Sequence, residues 1–171
     1  VDTVETELAP ALLAEGLVLR NLARMGGGVA LQDLLCEELT EIVLALLRLA
    51  TSDCAPEAWT QGLSMLVQIY AIAEHDERAH QQLLDRVECF VSALRQQLAE
   101  APPDEARASL ALDDIIAFIG TDALRQAYPQ YGREADFGRI QDGLRALLVE
   151  CAEIEATWPE ALDRFEGRHE I

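Results

Sequence analysis

The chain contains no lysine: all 13 of its basic residues are arginine. That excludes a P-loop, whose phosphate cradle needs a lysine. The arginines face 31 acidic residues, for a formal net charge of −18. A nucleic-acid footprint over the whole chain is excluded with it, because phosphate contact needs a basic face. An anionic membrane surface is disfavoured for the same reason. Aromatic residues make up only 5% of the chain, and the abundance of Ala and Leu favours helix over sheet. Long apolar runs are missing too. The longest strongly apolar stretch, Ile42 to Leu47, ends at Arg48, so nothing is expected to span a membrane. No basic segment leads into an apolar one, so no signal peptide is visible. The four cysteines, Cys36, Cys54, Cys89 and Cys151, form no C-x-x-C pair. Their apolar surroundings predict buried, reduced thiols in a cytoplasmic protein.

Catalytic motifs are also scarce. The glycines 26 to 28 lack the G-x-G-x-x-G spacing. Gly62-Leu63-Ser64-Met65-Leu66 lacks the second glycine of a nucleophile elbow. Asp113 and Asp114 are adjacent, so on a helix they point about 100° apart and do not readily share a proton. The sequence leans away from an enzyme and implies no cofactor.

What is present is helical periodicity over 171 residues that are 50% apolar, enough for one domain with a sizeable core. A first helix is predicted from about Glu5 to Met25, ended by the glycine run. A second runs from about Leu31 to Ala50, with Leu35, Leu39, Ile42, Leu46 and Leu49 on one face. Pro56 suits the first turn of a third. A fourth spans about Gln81 to Ala99, and Asp104 is placed to open the fifth, about Glu105 to Ala127. A sixth, about Arg133 to Ala156, carries the cleanest seam: Phe137, Ile140, Leu144, Leu147, Cys151 and Ile154 follow a heptad. A short last segment starts near Pro159. The expected architecture is all-α, a single helical-bundle domain of six to seven helices.

One metal arrangement is open to the sequence. Glu77-Arg78-Ala79-His80 and Glu166-Gly167-Arg168-His169 are both Glu-x-x-His. Two such pairs plus two further glutamates, here Glu41 and Glu134, build a di-iron site in a helical bundle. Against it, the second pair lies two residues from the end of this sequence and contains a glycine.

The segment Phe137-Gly138-Arg139-Ile140-Gln141-Asp142-Gly143-Leu144-Arg145-Ala146-Leu147-Leu148 resembles the final helix of TetR-type transcriptional regulators. ASLALDDIIAFIGTDALRQAYP, residues 108–129, looks like the long helix before it. PEAWTQGLSMLVQIYAIAEHDERAHQQLLDRV, residues 56–87, is similar to the family's earlier helices, and EELTEIVLALLRLA, residues 37–50, to the connector from its DNA-reading unit. The resemblance covers about residues 37 to 148. It implies a homodimer in which the last two long helices pair with their copies. Phe137, Ile140, Leu144, Leu147 and Cys151 would then lie at the interface. It also implies an apolar cavity for a small ligand, to which Trp59, Met65, Tyr70, Phe90 and Phe118 map by position.

The DNA-reading unit is matched only in outline. Leu22-Ala23-Arg24, Gly28-Val29-Ala30 and Leu34-Leu35 fit three of its elements. Cys36-Glu37 stands where the family has histidine-phenylalanine, and Gln32 and Asp33 replace basic donors. The expected division is therefore residues 1–30, an N-terminal helix and glycine joint left from a helix-turn-helix, and residues 31–171, a ligand-binding and dimerisation domain that does not itself bind DNA. The chain begins at Val1, so a fragment whose reading unit lies upstream and a homologue that has lost DNA binding are both open. The alternatives from other classes are the metal-binding bundle and a helical adaptor or chaperone.

Overall fold

A computed structural model describes residues 31–167. The expected first helix, the glycine joint and His169 lie outside the described residues. Within them the chain is all-helical, with eight α-helices and one 3-10 turn. They are α1 (Leu31–Leu35), α2 (Glu38–Thr51), α3 (Pro56–Ile69), α4 (Glu77–Ala99), α5 (Glu105–Ile119), α6 (Thr121–Ala127), the 3-10 turn Pro129–Tyr131, α7 (Glu134–Ile154) and α8 (Trp158–Glu166). No described helix is long and apolar enough to cross a membrane.

The local signals act where the sequence puts them. Pro56 opens α3, and the Asp104 carboxylate accepts the Arg107 N–H at the start of α5 (2.7 Å). Asp76 does the same for Ala79, so α4 begins four residues before the periodicity alone suggests.

Two expected helices are each broken in two. The 31–50 stretch bends at Cys36 and Glu37, where tight turns from Cys36 N–H to Asp33 and from Glu37 N–H to Leu34 replace the helical pattern. A distant side chain fixes the break. The Tyr131 hydroxyl accepts the Leu39 N–H (3.1 Å) and donates to the Glu37 carboxylate (2.8 Å). It thus satisfies one of the free N–H groups that every helix start leaves over. The 105–127 stretch breaks at Gly120, whose φ of +98° is open to glycine and strained for other residues. There the Tyr70 hydroxyl takes up a freed carbonyl, that of Ile119 (2.7 Å).

Helix α2 is the hub. Leu39, Ile42, Val43, Leu46, Leu47 and Leu49 are all buried, and α3, α4, α5 and α8 pack around the helix. One strip of α2, running through Glu41, Leu44 and Arg48, stays only half-buried. Helix α7 lies against α5 and α8. Its seam, Phe137, Ile140, Leu144, Leu147 and Cys151, is buried inside the single chain. These five side chains are part of the core of the single chain.

The cysteines correct an expectation. Cys36, Cys54 and Cys89 are exposed and only Cys151 is buried. The first two fall in breaks between helices, where no neighbouring helix covers them, and Cys89 is on an open face of α4. Burial pushes the Cys151 thiol up to about 12, with Arg164 pulling the other way. In native protein, thiol alkylation is therefore expected to modify Cys36, Cys54 and Cys89 and to spare Cys151, which reacts only after unfolding. Mass spectrometry of the labelled chain checks this; fast native labelling of Cys151 would contradict the packing of α7.

Candidate functional site

The half-buried strip of α2 forms one wall of an open cleft of about 610 Å³. Leu35 of α1, the α2–α3 loop, the first turns of α3 and Glu166 of α8 supply the rest. Glu41, Leu44, Ala45 and Arg48 face it together because helical spacing of three, four and seven keeps residues on one side.

Arg48 is the only charge in the stretch from Ile42 to Ala50. Its guanidinium bonds Glu166 through Nε (3.1 Å) and Nη2 (2.8 Å) and Asp163 through Nη2 (2.7 Å). Burial works to lower its pKa, but the hydrogen bonds with Glu166 and Asp163 outweigh this and raise it. Arg48 thus stays charged and fastens α8 onto α2 across the end of the cleft.

Two groups in the cleft have no such partner. Thr40 borders it but is only 2% exposed, and its hydroxyl is buried and makes no hydrogen bond. The Glu41 carboxylate has no arginine or histidine within ion-pair distance among the described residues. Burial pushes the Glu41 carboxyl above its ordinary range, and Glu38 adds to the effect. A buried hydroxyl without a partner is disfavoured, whereas the Glu41 carboxylate is partly exposed to solvent.

The residues mapped from the family resemblance are placed elsewhere. Tyr70, Phe90 and Phe118 do come together. The Phe90 and Phe118 rings stack with centroids 4.2 Å apart, and the Arg86 guanidinium lies 5.3 Å from the Phe118 centroid and 5.5 Å from that of Tyr70. Met65 is in the core and Trp59 is half-buried on α3. None of the five lines this cleft, nor a second one of about 640 Å³ beside Trp158 and the prolines 102 and 103. In that second cleft Arg95 is already bonded to the Leu49 and Ser52 carbonyls.

The described members of the metal arrangement are not brought together. Among the described residues no group of three or more His, Cys, Asp or Glu side chains is placed to hold a metal ion. His80 pairs with the Ala73 carbonyl (3.1 Å), Glu77 and Glu134 are exposed at the starts of α4 and α7, and Glu166 is taken by Arg48. Of the nominated ligands that are described, Glu41 and Glu166 line the α2 cleft, and Glu166 is held there by Arg48.

Thr40 and Arg48 carry no motif and were not singled out by the sequence. Arg48 did leave a signal: a lone charge inside an apolar run on a core helix needs a partner from another element. Comparison with known proteins finds no matching family model, no similar curated protein and no similar solved structure.

Proposed function

We propose that this chain is a ligand-responsive helical domain of TetR-like type. It pairs with a second copy through the outward faces of α5 and α7, and it holds a small ligand in the cleft along α2. The chain itself does not read DNA, in keeping with its net charge of −18. The proposed regulatory role rests on the resemblance over residues 37–148.

The observation that carries the dimer is Leu110. It is 51% exposed on α5, and with Ile154 at the end of α7 it is one of two large hydrophobic residues left exposed among the described residues. An exposed leucine beside the small residues Ala106 and Ala117, one and two turns away on the same helix face, suits close approach of a second helix. Arg145 supports that face by tying α7 to Ser109 and Asp113 of α5.

Light scattering tests the proposal. The wild-type chain is expected at twice its 18.8 kDa mass. Leu110→Glu is expected to give a monomer that still melts cooperatively, since the side chain contributes little to the core. A wild-type monomer would overturn the dimer.

A further inference from the structure

We infer that residues 13–24 of this same chain, which lie outside the described residues, dock as a helix along the α2 cleft and wall its open side. Leu13, Leu17, Arg20 and Arg24 face α2, and the two arginines meet the carboxylates of Glu41 and Glu57. The inference requires neither the ligand nor the dimer proposed above.

Three observations carry it. First, the chain enters beside the cleft. The described residues begin in α1, and Leu35 at the end of α1 is part of the cleft wall. Seven positions separate Arg24 from Leu31, and such a stretch spans up to about 24 Å when extended. Glycines 26 to 28 fall within it and permit the chain to reverse. Residues 13–24 can thus run antiparallel to α2, and as a helix they cover about 18 Å of its roughly 21 Å length. Second, the charges are complementary. Glu41 and Glu57 line the cleft and make no ion pair with a described arginine. The only charges between Glu15 and Asp33 are Arg20 and Arg24, a basic stretch in a chain of net charge −18. Burial raises the Glu41 carboxyl, and an arginine beside it offsets that penalty. Third, the patterns match. Helical spacing of four, three and four puts Leu13, Leu17, Arg20 and Arg24 on one side. The cleft likewise sets aliphatic Leu44, Ala45 and Ala58 beside its carboxylates. Leu12, Leu19 and Leu22 fall on another side of the same helix, and a helix apolar on more than one side needs cover.

Hydrogen exchange of the full chain, read by mass spectrometry over residues 13–24, tests the inference. In the wild type these amides are expected to exchange about tenfold or more slowly than in the urea-unfolded chain. Arg20→Glu with Arg24→Glu is expected to bring them to within about twofold of the unfolded rate, and so is Glu41→Arg with Glu57→Arg. The chain carrying all four changes again has opposite charges across the contact and is expected to regain the protection. The two arginines lie outside the described core, so their variant decides should the Glu41 and Glu57 variant fail to fold. Exchange at the unfolded rate in the wild type overturns the inference, and so does protection that survives Arg20→Glu with Arg24→Glu. Loss of protection in both double variants without recovery in the fourfold one also overturns it. None of these outcomes bears on the dimer, which light scattering reads separately.

Discussion

Leu144→Ala is expected to lower the stability of the chain by about 2–5 kcal/mol, the range for emptying a fully buried leucine site. Leu144 has no exposed surface and lies in the middle of the α7 seam, against the core shared with α5 and α8. The lost side chain leaves a cavity that these three helices close only in part. Leu147→Ala, at 3% exposure, should fall in the same range. Chemical denaturation reads the loss directly. The same variants are expected to keep the oligomeric state of the wild type, because their side chains face inward. Leu144 and Leu110 thus make a pair with opposite signatures. One change alters stability and leaves assembly alone, and the other does the reverse. If Leu144→Ala dissociated the protein without lowering the stability of the separated chains, the seam would belong to the interface after all.

Tyr131→Phe removes one oxygen and is expected to destabilise the chain by about 1–3 kcal/mol. Tyr131 is fully buried. Without its hydroxyl the Leu39 N–H, on a residue with no exposed surface, has no partner, and Glu37 loses the donor that holds it at the α1–α2 break. The ring stays, so its contact with Phe137, centroids 5.1 Å apart, is kept and the loss is confined to the hydroxyl.

Tyr131 also predicts an alkaline limit. Burial, followed by the neighbouring Glu37 and Glu38, pushes the hydroxyl far above its ordinary value of 10.0, although the Leu39 N–H acts in the opposite direction. Below pH 10 both folded and unfolded chains keep the proton, and there is no effect. Above it the unfolded chain ionises first, so stability falls as pH rises. The Phe variant is expected to start less stable and to lose stability less steeply in alkali. Equal alkaline slopes for the two proteins would show that the hydroxyl is not buried as described.

The all-helical class was legible because α2, α5 and α7 carry apolar residues at helical spacing, and the start signals Pro56 and Asp104 work locally. The two breaks were not legible. Helix α2 begins where a tyrosine 92 residues downstream reaches its backbone, and no local window contains both partners. Gly120 is visible in the sequence, but a glycine within a helical pattern is also tolerated without a break. Five of the six heptad positions on α7 are buried within the single chain, and Ile154 at its end is exposed. Periodicity reports that a face is covered; it is silent on whether another chain or the same one covers it. For the cleft, Glu41 stood out only as one of many glutamates.

The clasp between Arg48 and α8 has a kinetic consequence. The residues it joins are separated by 115 and 118 positions, so the hub helix, made early, is closed over by the last described helix. Until residues 158–166 have left the ribosome, one flank of α2 lacks its cover. Contacts of such long sequence separation also slow folding relative to a bundle that closes locally. The interval before that closure is when the apolar centre of the described bundle is most open to unwanted association.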